Sequence, residues 1–81
     1  MSQEEITAKV GKIIAEVLGL PESSVGADFT QKANQNWDSL NHLKLVMELE
    51  KQFNISFNTE EVFSMDTVKE ICYVVKKHLQ T

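Results

Sequence analysis

Arginine is missing from this chain: its eight basic residues are all lysine, set against twelve acids for a formal net charge of −4. The cation best suited to forked contacts with phosphates and base edges is therefore not available, which argues against nucleic-acid binding. A single cysteine, Cys72, cannot form an internal disulfide, and no His/Cys cluster has metal-ligand spacing, so a reducing compartment and no metal site are expected. The opening Met1-Ser2-Gln3-Glu4-Glu5 is acidic where a secretory leader would be basic and then apolar, and no later apolar run matches the thickness of a bilayer. The expected location is the cytoplasm, with no membrane contact. In that setting the glycosylation-type triplet Asn54-Ile55-Ser56 is a chance match.

What is present is one small domain, 1–81, with 42% hydrophobic residues. A chain of this size buries only about 60% of its unfolded surface, too little to build both a core and a deep substrate cavity. That weighs against a self-sufficient enzyme, while the acidic balance favours solubility and approach to basic patches on other proteins.

Helical spacing organises most of the chain. Residues 3 to 18 place Ile6, Val10, Ile13, Ile14, Val17 and Leu18 on one face, and Ser2 with Glu5 has the form of a capping box. Gly19 suits a left-handed C-terminal cap, and Pro21 prevents continuation. From Leu20 to Trp37 no period persists, so a long ordered loop is expected, pegged to the core by Val25 and Phe29; loops of this length in small domains are often functional. A second helix runs from Asp38-Ser39-Leu40 to about Phe53. A short third helix, through Val62 and Phe63, starts at a capping box of Asn58 and Glu61. Asp66 is read as the cap of a fourth helix, whose apolar face is Val68, Ile71, Cys72, Val75 and Leu79. The fold class is all-α: a four-helix bundle with three long helices, one short helix and a long first loop.

The second helix carries two apolar stripes. Leu45, Val46, Leu49 and Phe53 form a core stripe, and Leu40, Leu43 and Met47 form another. Together they cover more of the circumference than one helix of such a bundle buries, so the second stripe is expected to be partly exposed. At the helix start Asp38 can supply the cap, which frees the Ser39 hydroxyl at the first helical position. An anion attached there would lie against free backbone N–H groups at the positive end of the helix dipole. An Asp-Ser pair also starts many helices with no further role, so the tripeptide alone decides nothing.

The wider run Trp37-Asp38-Ser39-Leu40, followed by Leu43-Lys44-Leu45-Val46-Met47-Glu48-Leu49-Glu50 and Phe53, resembles the acyl carrier proteins. Val17-Leu18-Gly19-Leu20 with Val25 and Phe29 upstream, and Thr67-Val68 downstream, extend the similarity over nearly the whole chain. The resemblance implies a free-standing, non-catalytic carrier whose Ser39 is esterified with 4′-phosphopantetheine from coenzyme A by a magnesium-dependent phosphopantetheinyl transferase, with Asp38 positioning the serine. It implies partner contacts through Leu40, Leu43, Lys44, Met47 and Glu48, with Glu50 as a further rim residue. The partners would be enzymes that load and process acyl or aminoacyl thioesters, and the carrier itself would be a monomer.

Two departures from fatty-acid-synthesis carriers stand out. Asn36-Trp37 precede the motif where Gly and a small residue are usual, and Asn41 and Lys44 hold positions usually acidic. Charge changes on a docking helix alter partner choice more than fold, which points to a dedicated pathway such as polyketide, modified-sugar or aminoacyl thioester chemistry. Two other classes remain open: an interaction module that uses the exposed stripe without a prosthetic group, and a small hydrolase built on Ser39. The hydrolase lacks an evident triad; His42 lies one turn from Ser39, yet no orienting group accompanies it, so an ordinary helix-surface or boundary histidine is the expectation. Cys72 is expected to be buried packing. Glu60-Glu61 and Lys76-Lys77 match helix dipoles. Trp37 is either a lid over the loop or a contact beside the prosthetic group.

Overall fold

A computed structural model describes residues 2–26, 28–32 and 34–79. Its elements are α1 (Gln3–Leu18), a 3-10 turn at Glu22–Ser24, α2 (Ser39–Phe53), α3 (Thr59–Ser64) and α4 (Val68–Leu79), all helical.

Local chemistry sets each boundary. Ser2 Oγ accepts from the Glu5 N–H while the Ser2 N–H donates to the Glu5 carboxylate, so two of the free donors of α1 are satisfied reciprocally. Gly19 ends the helix at φ 69°, a left-handed conformation that costs glycine nothing. Asn54 ends α2 in the same region at φ 55°, the one non-glycine residue there among those described. Asn58 and Glu61 repeat the capping box at α3. The expected Asp66 cap of α4 is corrected: Thr67 Oγ1 accepts the Glu70 N–H at 3.0 Å, one residue later. Asp66 instead uses its backbone, its carbonyl taking the Gln31 N–H at 2.8 Å.

The core joins Ile6, Val10, Ile13, Ile14 and Leu18 of α1 to Leu45, Val46, Leu49 and Phe53 of α2 and to Val68, Ile71, Cys72, Val74 and Val75 of α4. At about 25 cal/mol per Å² of apolar area withdrawn from water, this seam is the main driving force for folding. Lys9 fastens α1 to the end of α2: its Nζ donates to the Gln52 carbonyl and lies over the Phe53 ring. Leu20, Val25 and Phe29 pack the long loop onto this core. An isolated bridge between Thr30 and Thr67, with the Val68 N–H donating to the Phe29 carbonyl, pins the loop to the head of α4.

Candidate functional site

The head of α2 shows how the chain frees one hydroxyl. Asp38 sits in extended backbone and its carboxylate accepts the Asn41 N–H at 2.8 Å, while its carbonyl takes the His42 N–H. Capping is thereby complete without Ser39, the first helical residue, which is exposed and whose hydroxyl makes no hydrogen bond among the described residues. A phosphodiester fits this position sterically and electrostatically, because the hydroxyl opens to solvent at the positive end of a fifteen-residue helix.

The approach to the motif is held by amides. The Asn36 N–H donates to Asn34 Oδ1 at 2.8 Å, Gln31 Nε2 donates to the Trp37 carbonyl at 3.1 Å, and Asn41 Nδ2 donates to the Asn36 carbonyl at 2.6 Å. Asn41 is therefore half-buried and engaged in holding this approach.

Trp37, expected as a lid over the loop or a contact beside the prosthetic group, is instead a core residue. It is 2% exposed, stacks on Phe29 with centroids 5.9 Å apart, and donates its indole N–H to His42 Nδ1 at 2.9 Å. Since that nitrogen accepts, the imidazole proton resides on Nε2, which lies 2.7 Å from the Val62 carbonyl and donates to it. His42 is a boundary histidine, as expected, but one with two assigned partners.

Beside Ser39 a groove of about 470 Å³ opens between α2 and α3, walled by His42, Leu43, Val62 and Phe63 with Gln31 and Thr59 as polar members. A hollow of about 520 Å³ lies at the other end of α2, among Lys9, Lys12, Glu16 and Gln52, remote from the motif. The second stripe is exposed as expected: Leu40 63%, Leu43 56% and Met47 68%. Phe63 on α3, 79% exposed, extends the same apolar surface. Its prominence was missed in the sequence, where a lone aromatic in a six-residue helix gives no period to read. Lys44 is exposed on this side and makes no ion pair among the described residues, as is also true of Lys51. The two glutamates are less available: Glu48 accepts from Gln52 Nε2 at 2.8 Å, and Glu50 accepts the Phe57 N–H at 2.8 Å.

Glu61 does more than complement a helix dipole. It is 9% exposed, and its carboxylate receives the Asn58 N–H, His78 Nε2 at 2.9 Å and Lys77 Nζ at 3.6 Å. The Asn58 N–H first, then His78, holds its carboxyl below the usual carboxylate range. Cys72 is buried and burial pushes its thiol up, which suits packing and not reactivity. Among the described residues no group of His, Cys, Asp or Glu is placed to hold a metal ion, and no helix is long and apolar enough to cross a membrane.

Comparison with known proteins agrees with this geometry. The family profile described as "Phosphopantetheine attachment site" matches residues 8–75. The chain is 34% identical over 76 residues to an acyl carrier protein of Buchnera aphidicola, covering 94% of this chain and 97% of that one. It is 36% identical to an acyl carrier protein of Rubrobacter xylanophilus and 35% identical to one of Thermotoga maritima, each over 78 residues and 96% of both chains. The cofactor of this family is covalently held 4′-phosphopantetheine, and its members are carriers whose work is done with biosynthetic enzymes. With its helical bundle, its spare hydroxyl at a helix head and these matches over nearly its full length, the chain belongs to the acyl carrier protein family.

Proposed function

We propose that residues 1–81 act as a single carrier domain in the cytoplasm, with 4′-phosphopantetheine attached to Ser39 by a magnesium-dependent phosphopantetheinyl transferase. The observation that carries this is the division of labour at the head of α2: Asp38 completes the cap, and the adjacent Ser39 is exposed, its hydroxyl unengaged among the described residues. On the transferase, Ser39 Oγ would form the new O–P bond as the pyrophosphate bond of coenzyme A breaks. The adenosine bisphosphate half leaves, and the serine proton passes to a base on that enzyme. Asp38 keeps the serine at the helix head, where the backbone N–H groups of Ser39 and Leu40 would be donors to an attached phosphodiester. The group supplies a thiol that holds acyl or aminoacyl intermediates as thioesters.

Leu40, Leu43 and Met47 are the apolar contacts for partner enzymes in this reading, with Lys44 at their edge and Glu48 beside them. The lysine supports a dedicated biosynthetic pathway, because a cation on the docking face repels basic partner patches and favours acidic ones. Incubation with coenzyme A, magnesium and a broad-specificity transferase, followed by intact mass and peptide mapping, tests the proposal. One added phosphopantetheine on Ser39 supports it; an unmodified chain would favour an interaction module that uses the exposed stripe alone.

A further inference from the structure

The chain has two histidines, and both bond to the same six-residue helix from different sides. His42, on α2, donates from Nε2 to the Val62 carbonyl at 2.7 Å. His78, in the last turn of α4, brings Nε2 to within 2.9 and 3.0 Å of the two Glu61 carboxylate oxygens. A six-residue helix is not stable by itself, so its position depends on such ties and on the packing of Val62. Val62 lies in the last turn, where carbonyls lack an intrahelical donor, and His42 supplies one.

The two ties make opposite demands on protonation. His42 accepts the Trp37 indole N–H at Nδ1, which a neutral ring alone can do. A second proton there would set N–H against N–H across 2.9 Å. Among the described residues no carboxylate faces an imidazolium at this place. The loop presents Trp37 and Gln31, and α3 presents Val62 and Thr59. The acids flanking these elements are turned elsewhere: Asp38 to the Asn41 N–H, Glu48 to Gln52, Glu50 to the Phe57 N–H, and Glu61 to Asn58 and His78. Trp37 is locked in the core against Phe29, whereas His42 lines the open groove, so the charged ring is the partner that moves. His78 is the reverse case: Glu61 faces it from α3, Lys77 of its own helix shares that carboxylate, and the Phe57 ring meets it edge-on. A proton on His78 turns its bond to Glu61 into an ion pair.

We propose that His42 and His78 are positioning residues that fix α3 as the wall of the groove beside Ser39, His42 in its neutral form alone and His78 most firmly as the cation. Protonation of His42 costs the Trp37 bond that orients its ring towards Val62, which frees the Val62–Phe63 end of α3 while the Glu61 end stays tied, and the groove widens. The bearing of this on a prosthetic arm rests on the carrier reading above; the behaviour of α3 does not.

The test is ¹H–¹⁵N NMR of the unmodified full chain between pH 8 and pH 5, on wild type, His42→Gln and His78→Gln. At pH 8 His42 is expected as the Nε2–H tautomer. As it titrates, the Trp37 indole resonance and the Val62 and Phe63 amides should shift with the same midpoint. Amide protection at the end of α3 should fall roughly 2- to 10-fold, the loss of about one net hydrogen bond. His42→Gln, whose amide has both a donor and an acceptor, should abolish the pH response of Trp37; His78→Gln should keep it and loosen the Glu61 end at all pH values. An Nδ1–H tautomer at pH 8, or a Trp37 resonance that ignores the titration of His42, overturns the inference, and the wild-type titration decides this even if a variant folds poorly. A chain that behaves as expected here but takes up no phosphopantetheine keeps the positioning role and loses the carrier reading.

Discussion

The Asn41 side chain donates to the Asn36 carbonyl at 2.6 Å, closing the turn that delivers Trp37, Asp38 and Ser39 to the head of α2. An asparagine at this position thus does structural work that an acid cannot do, since a carboxylate has no N–H to give. An acid in the first turn of a helix normally stabilises by about 0.3–1 kcal/mol through the dipole. A lost hydrogen bond costs about 0.5–1.5 kcal/mol, and the new charge would face a carbonyl.

Asn41→Asp is therefore expected to leave stability unchanged or lower it by up to about 1 kcal/mol in urea unfolding. A clear gain in stability would show that the amide bond contributes nothing.

The two stripes of α2 predict a divided response to truncation. Leu45→Ala and Phe53→Ala, both in the core, are expected to cost about 2–5 kcal/mol. Leu43→Ala and Met47→Ala remove side chains that stand largely in solvent, so losses within about 0.5 kcal/mol are expected. Similar losses in both pairs would mean the whole band is core.

Much of this division was legible in the sequence because it follows from periodicity. The apolar positions of α1 and α2, the Ser2–Glu5 and Asn58–Glu61 boxes and the Gly19 cap are local patterns, and the structure has them. The Asp66 cap went to Thr67 because two adjacent residues can both cap and a tertiary constraint decides: the bridge from Thr30 fixes where α4 begins. Trp37, the histidines and the second role of Glu61, as partner of His78, were legible only as residue types. Their partners lie 5 to 20 residues away across turns and helices, and no local pattern encodes those meetings. At the site, Asp38 as cap and Ser39 as spare hydroxyl were readable from three residues.

Glu61 predicts an acid-sensitive step. Its folded carboxyl is held below the usual range, by the Asn58 N–H first and His78 next, so its contribution to stability is fully present above the unfolded carboxylate pKa. That contribution disappears as pH falls through the lower, folded value. Glu61→Gln should flatten the acid limb of a stability-versus-pH curve relative to wild type, measured by urea midpoints. Parallel curves would mean that Glu61 is not the group responsible.

Lys44 predicts partner choice. Acyl transfer from enzymes with basic docking patches is expected to be slow on the phosphopantetheinylated wild type and faster on Lys44→Glu. The gain should shrink with added salt, because exposed charges are screened over about 8–10 Å at physiological ionic strength. Fast transfer to the wild type, or a salt-independent gain, would remove Lys44 from specificity.

The most direct measurement of the central claim is the intact mass of wild type and Ser39→Ala after incubation with coenzyme A, magnesium and a broad-specificity phosphopantetheinyl transferase, with circular dichroism and urea unfolding of both. Because Asp38 carries the cap, Ser39→Ala is expected to keep its helicity and to stay within about 0.5 kcal/mol of wild type. Wild type should gain one phosphopantetheine and the variant none. Modification of the alanine variant, or a wild type that stays at its starting mass, would contradict the account.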